Sequence, residues 1–390
     1  MIKKSWVLVI VILLLSVALV ACGSKPPATQ PPVTPAPGTE GPAFDGELLI
    51  GIMVPTTGSE ATYGKDMENA INLAVEEINA KGGLLGKKVV TTTGDDGCDP
   101  QMASAAASKL VSSDVVAVVG GYCSGATLPT LKIYADAKIP MVVPAANSTK
   151  IAEENQGWAF QVNSPGYHQA EKATQWFATL GHTKVALVHQ GDGFSEDLAN
   201  LTKANWEDKG NQVVAYEVVN KGEQDYSALV TKIKSSGAEV VYWTAYHADG
   251  ALLIMQLRQG GYTGDIVVGD GSSSDQLLEI AGQAGEGVYC TSPPIVDFLP
   301  AASSFIQNYT AKWKQSPGPY SGLSYDSANL LFSAIEKANS VDGDAIRAIL
   351  VDTKDFPTLS GNITFTPELT LVNSNFIMLK GENGKWVLAE

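Results

Sequence analysis

Positive charge is in short supply in this chain. Lys and Arg number 26 against 41 Asp and Glu, for a formal net charge of −15 over 390 residues, and that balance argues against nucleic acid or an anionic lipid surface as a partner. Charge of either sign is sparse, at 17% of residues, while hydrophobic residues make up 45%; this excludes a disordered or coiled-coil chain and fits a packed α/β protein. Histidine is scarce too. His168, His182, His189 and His247 show no metal-ligand spacing, read as surface or packing residues, and give no reason to expect a metal. Enzyme signatures are missing as well. Residues 58–65 imitate a phosphate-binding loop but place five residues between the glycines where the motif has four, and Asp66 stands where Ser or Thr should follow the lysine. No G-x-G-x-x-G follows a strand pattern, no H-E-x-x-H occurs, and Ser124 does not fit the G-x-S-x-G elbow. A hydrolase using Ser124 as nucleophile would lack a histidine base from any motif, so neither catalysis nor a cofactor is expected.

The N-terminal apolar run, residues 6–20, falls short of the roughly 20 residues that a membrane-spanning helix needs. Its flanks give it another reading. Lys3 and Lys4 precede it, and Leu19, Val20 and Ala21 lead directly into Cys22, the layout of a lipoprotein signal with a small residue before the acylated cysteine. Residues 1–21 are therefore expected to be a signal peptide, and the mature chain to be extracytoplasmic and held to the membrane only by lipid on Cys22. Residues 22–46 follow as a tether rich in proline and poor in core-forming residues. In extended polyproline form, at about 3.1 Å per residue, it could hold a folded body up to roughly 70 Å from the bilayer.

The remaining 344 residues (390 minus 46) are too many for one typical domain and comfortable for two. From residue 47 strand and helix patterns alternate: strands at 48–54, 88–93, 115–119 and 141–143, with helices between, the second opened by Asp99 and Pro100 as N-cap and first helical residue. A second such run begins after Ser164, Pro165 and Gly166, with strands at 184–189, 213–219, 240–244 and 266–269. Alternation of this kind implies parallel sheets covered by helices. After Pro293 and Pro294 the pattern turns helical, then ends in short strands near Ile363 and Phe376. The predicted fold is α/β with two doubly wound parallel-sheet lobes, 47–165 with 294–376 and 166–293 with 377–390. Hinge crossings are expected near Pro165 and Gly166, Pro293 and Pro294, and Asn375. Past Cys22, Cys98 and Cys123 each lie just beyond a predicted strand end and form the expected disulfide, whereas Cys290 ends an apolar run and reads as a buried free thiol.

Polar and aromatic residues recur just past the carboxyl ends of strands, where open α/β sheets bind ligands: Ser124 and Asn147 in the first half, Tyr246 and Asp270 in the second. Around them the chain resembles a known family, through Thr62-Tyr63-Gly64, residues 77–83, Asp95-Asp96-Gly97-Cys98-Asp99-Pro100, Cys123-Ser124 and Pro144-Ala145-Ala146. It is similar to the substrate-binding proteins of branched-chain amino-acid ABC transporters, of type I periplasmic binding protein fold, over about residues 47–390. The resemblance also implies the Cys98–Cys123 bond. For an amino-acid zwitterion it implies a carboxylate at Ser124 and the positive end of the following helix. The ammonium would meet the carbonyl of Ala145, the side chain of Asn147 and the carboxylate of Asp270, with Tyr63, Phe194 and Tyr246 as aromatic walls.

Three positions depart from the family pattern, which commonly has Glu at Asp270, Thr or Ser at Asn147 and Tyr at Phe194. The shorter Asp implies further lobe closure or a bridging water. Leu, Ile and Val lead as ligands, with alanine, aromatic amino acids or a small amide left open. The implied partners are an amino acid and ABC permease subunits, with the protein a monomer; an extracytoplasmic sensor subunit would use the same cleft.

Overall fold

The computed structural model describes residues 42–389. The expected signal peptide, Cys22 and the tether as far as residue 41 lie outside the described residues. The apolar run at the start of the body becomes β1 (Glu47–Val54), whose Leu48, Ile50, Ile52, Met53 and Val54 are all buried, as befits a central strand covered on both faces. With β2 (Lys88–Asp95), β3 (Ala117–Gly120), β4 (Met141–Val143) and β5 (Ala159–Gln161) it forms a parallel sheet of order β2-β1-β3-β4-β5. The helix Ala61–Ala80 packs Met67, Ala70, Ile71 and Ala74, spaced at helical intervals, into the core. Gly83 ends it in a left-handed conformation, its N–H donating to the Ile78 carbonyl at 3.0 Å. Asp99 caps the helix Pro100–Ser112, accepting from the N–H groups of Gln101 and Met102 at 2.9 Å each.

The second sheet takes β6 (Lys184–His189), β7 (Gln212–Val218), β8 (Val240–Trp243), β9 (Asp265–Val268) and β10 (Tyr289–Ser292). A hairpin, β11 (Phe356–Thr358) and β12 (Gly361–Ile363), stands apart, and β13 (Ile377–Glu382) and β14 (Lys385–Leu388) complete the order β14-β13-β10-β9-β8-β6-β7. The chain thus passes between the sheets within residues 162–165, again after Ser292 and again within residues 364–376, because the helix Ser321–Ala338 packs on β3, β4 and the helix Ala61–Ala80.

Two features correct the sequence reading. Two short helices, Thr149–Glu154 and Asp275–Ala281, and β5 lie where no element was expected; β5 has no β-branched residue to mark it, unlike β4. The second sheet is not wholly parallel: β13 runs antiparallel to β10 and β14 antiparallel to β13. Asn383 and Gly384, both at positive φ, join β13 to β14, and a two-residue turn of this type can connect only antiparallel neighbours.

Two glycines fix how closely loop and strand ends meet beneath the cleft. A Cβ on Gly120, at φ +149°, would lie 2.1 Å from the Met53 carbonyl oxygen, and one on Gly64 would lie 1.7 Å from that of Pro55. Beside them Cys98 and Cys123 are disulfide-bonded with Cα atoms 5.4 Å apart, tying the turn after β2 to the start of the helix Ser124–Asp136. Cys290 is free and buried. Closing a loop with sequence separation 25 stabilises the fold by about 3 kcal/mol on the chain-entropy model. Replacing both Cys98 and Cys123 by alanine should lower the unfolding free energy by about that amount in urea titrations. In the parent protein, a thiol reagent should label Cys290 only after unfolding; labelling of the native protein would contradict its burial.

Candidate functional site

In each sheet the strand order reverses beside the first strand of its run, at β1/β3 and at β6/β8, and open α/β sheets bind ligands outside the carboxyl ends of strands at such points. Residues beyond those ends meet around one small cavity. Tyr122 comes from the loop after β3, Ala145 and Asn147 from that after β4, Phe194 follows β6, Tyr246 follows β8, and Asp270 and Gly271 follow β9. Tyr320, just ahead of the helix Ser321–Ala338, closes the wall. The free volume is about 10 Å³, room for at most one water, so the lobes are shut on one another and must part to admit a larger solute. A wider groove of about 690 Å³, between the helices Ser227–Ser236 and His247–Gln259, shares no residue with this cavity.

The chemistry favours the small cavity, because its surroundings hold acceptors that no donor satisfies. Asp270 is buried; its Oδ2 accepts from Asn147 Nδ2 at 3.2 Å and Asn163 Nδ2 at 3.3 Å, while its Oδ1 has no partner. Asn163 also donates to the Ala145 carbonyl at 2.8 Å, and Gln161 donates to that of Ala146 at 3.2 Å. The amide oxygens of Asn163 and Gln161 are themselves buried and unpartnered. Burial pushes the Asp270 carboxyl up to about 6, and the polar neighbours Tyr320, Gln169 and Asn163 keep it from rising further. A group bringing several donors and a positive charge would satisfy what this pocket leaves open.

Aromatic rings enclose the acidic centre. Tyr122 stacks on Tyr63 at 4.9 Å between centroids and meets Tyr320 edge-on at 5.4 Å, and Phe194 lies 5.6 Å from Tyr246. Burial raises the phenols of Tyr63, Tyr122, Tyr246 and Tyr320 well above their ordinary value, so they remain protonated donors.

Of the residues expected from sequence, Ala145, Asn147, Phe194, Tyr246 and Asp270 line the cavity; Ser124 and Tyr63 do not. Ser124 is the first residue of the helix Ser124–Asp136, earlier than the predicted start at residue 126, and its Oγ accepts from the Ser148 N–H at 3.2 Å. Tyr63 acts across the cleft, its hydroxyl donating to the Gly271 carbonyl at 3.4 Å and accepting from the Ser274 N–H at 2.9 Å. Tyr122, Gly271 and Tyr320 were missed. Tyr122 stands two residues before Ser124 in the loop after β3, a position that could have marked it; Tyr320 arrives from a distant segment and carries no local signal. His247, expected on the surface or in packing, is buried 3.4 Å from the Glu60 carboxylate of the opposite lobe. A further cross-cleft contact joins Asp197 to Ser148 Oγ at 2.9 Å and to the Thr149 N–H at 2.7 Å. Among the described residues no cluster of His, Cys, Asp and Glu could hold a metal ion, and no helix is long and apolar enough to cross a membrane.

Residues 47–385 match the family model described as periplasmic binding protein. A Leu/Ile/Val-binding protein homolog 1 from Brucella abortus (strain 2308) is 31% identical over 339 residues, covering 87% of this chain and 91% of the relative. Among solved structures, a leucine binding protein LivK from Thermotoga maritima MSB8 superposes with a TM-score of 0.83 at 27% identity, covering 88% of this chain and 98% of that one. The branched-chain amino acid transporter substrate binding protein LivJ from Streptococcus pneumoniae, in complex with isoleucine, gives a TM-score of 0.80 at 26% identity, covering 87% and 97%.

The raised Asp270 carboxyl sets an expected pH dependence. It is protonated in the closed form below about pH 6, so a cationic group that pairs with the ionised carboxylate must compete with a proton there. Affinity for such a ligand should hold steady above about pH 6 and fall by about tenfold per unit below it, until the carboxyl's ordinary range is reached. Calorimetric titrations at pH 7.5, 6 and 5 measure this, and equal affinities at all three would show that ionised Asp270 is not the anchor.

Proposed function

The chain belongs to the periplasmic binding protein family, among the substrate-binding proteins of branched-chain amino-acid transporters, and is not an enzyme; from that premise we propose that it captures a free α-amino acid between its two lobes and delivers it to an ABC permease. The observation that carries this reading is the buried set of unsatisfied acceptors beside Asp270, which an α-ammonium group matches in both charge and donor number. In the proposed complex the ammonium lies against Asp270 and the carbonyl of Ala145, with the amide of Asn147 turned toward it. The carboxylate is received by Ser124 at the positive end of the helix Ser124–Asp136 once the lobes part and reclose. The segments within residues 162–165, after Ser292 and within residues 364–376 serve as the hinge. The names of the relatives put Leu, Ile and Val first among the side chains to test.

We also propose that the protein is extracytoplasmic and anchored through acylated Cys22, on the strength of the residues around that cysteine. Cys22→Ser should leave the precursor unprocessed or the protein released from membranes, as read by fractionation and mass of the mature N-terminus. A processed, membrane-bound variant would contradict lipidation.

The binding proposal is tested by calorimetry with the protein amino acids. Removing one member of a buried charge pair costs about 2–5 kcal/mol, or roughly 30-fold to several-thousand-fold in affinity. Asp270→Ala should weaken the best amino-acid ligand by that factor without loss of fold. Unchanged affinity would place the ammonium elsewhere.

A further inference from the structure

Glu60 stands in the turn ahead of the helix Ala61–Ala80 and is almost fully buried, at 1% exposure. Its Oε2 accepts from the Tyr122 hydroxyl at 3.3 Å and lies 3.4 Å from His247 Nδ1 of the facing lobe, a nitrogen that makes no hydrogen bond; its Oε1 has no partner at all. The Tyr122 ring lines the same cavity as Asp270, so Glu60 sits one side chain behind the aromatic wall. Two buried carboxyl groups, Asp270 on the cavity wall and Glu60 behind Tyr122, thus each keep an oxygen that lacks a donor.

An amino acid with an aliphatic side chain brings a single ammonium. That group can satisfy Asp270, but an aliphatic side chain directed toward the Tyr122 wall leaves Glu60 without a donor when the lobes reclose, and a buried acceptor left unmet costs binding affinity. A nitrogen donor at the far end of the side chain removes that cost. The rings of Tyr122 and Tyr320, which line the cavity in front of Glu60, suit an amide plane or a cationic nitrogen equally.

We infer that Glu60 is a specificity-determining residue that selects amino acids whose side chains end in an N–H donor, amide or ammonium, over the branched aliphatic ones for which the relatives are named. The inference rests on the amino-acid reading above. It assigns the second donor to the ligand rather than to the protein, because His247 approaches Glu60 without closing a hydrogen bond.

The test uses shape-matched ligands on the mature chain. Asparagine is compared with leucine for the amide, and ornithine with norleucine for the ammonium, by calorimetric titration of the parent, Glu60→Gln and Glu60→Leu. The parent should bind at least one nitrogen-ended ligand about tenfold or more tighter than its hydrocarbon match, and Glu60→Leu should reverse that preference. Glu60→Gln, close in shape, separates the two sources: it should retain asparagine binding if the amide is read, and lose ornithine binding if the ammonium is read. Thermal unfolding of each variant confirms that it is folded, and the parent's preference decides the matter even where Glu60→Leu does not fold. Leucine or norleucine binding as tightly as, or tighter than, the matched nitrogen ligands would overturn the role of Glu60 and leave the amino-acid reading standing. Failure of every amino acid to bind would overturn both.

Discussion

A carboxylate taken out of water without enough donors is the constraint around which this molecule is arranged. Asp270 is buried between the lobes with one oxygen unpartnered, and burial lifts its carboxyl to about 6. A folded protein tolerates such a group where something else is meant to complete it. Two of its donors are Asn147, from the other lobe, and Asn163, from the crossing segment. On the proposed reading the shut form is a partial substitute for the liganded one: amides give Asp270 neutral donors in place of a cationic one. The structure also bears on two departures from the family pattern. A carboxylate on a shorter stem faces an amide on a longer one, and the two meet directly at 3.2 Å.

Closure has other supports, and they lie away from the acidic centre. Asp197 is gripped by Ser148 and Thr149, and Tyr63 spans to Gly271 and Ser274. These contacts would be broken in the proposed opening and could re-form around a ligand, so they favour closure in either state. On the first lobe the loops that carry Tyr122 and Ser124 are held by the Cys98–Cys123 bond and by the close approach of Gly120 to β1. Rigid placement of this kind would keep these loops aligned through the proposed opening and closing.

Much of the framework was legible from local pattern. Helical spacing from Met67 to Ala74, the cap at Asp99 and the apolar run of β1 each record a choice made over a few neighbouring residues. The same holds for Asn147, Tyr246 and Asp270, because residues just past strand ends inherit their position from the strand, whereas Ala145 and Phe194 were marked only by the family resemblance. What was not legible had no local record. β5 has no β-branched residue to mark it, and the antiparallel course of β13 depends on which side of the second sheet the chain reaches after residue 376.

The sequence by itself determined two α/β runs, the strand ends from which the cavity residues Asn147, Tyr246 and Asp270 come, and the cysteine pair, since each depends on residue type at short spacing. Only the tertiary structure decided which side chains share the cavity. Tyr320 reaches it from a segment about fifty residues beyond Asp270. Glu60, in a turn that reads as an ordinary polar loop, becomes a buried acid because His247 and the second lobe close over it. Burial is a property of the whole fold, and it turns a solvated carboxylate into one that requires a partner.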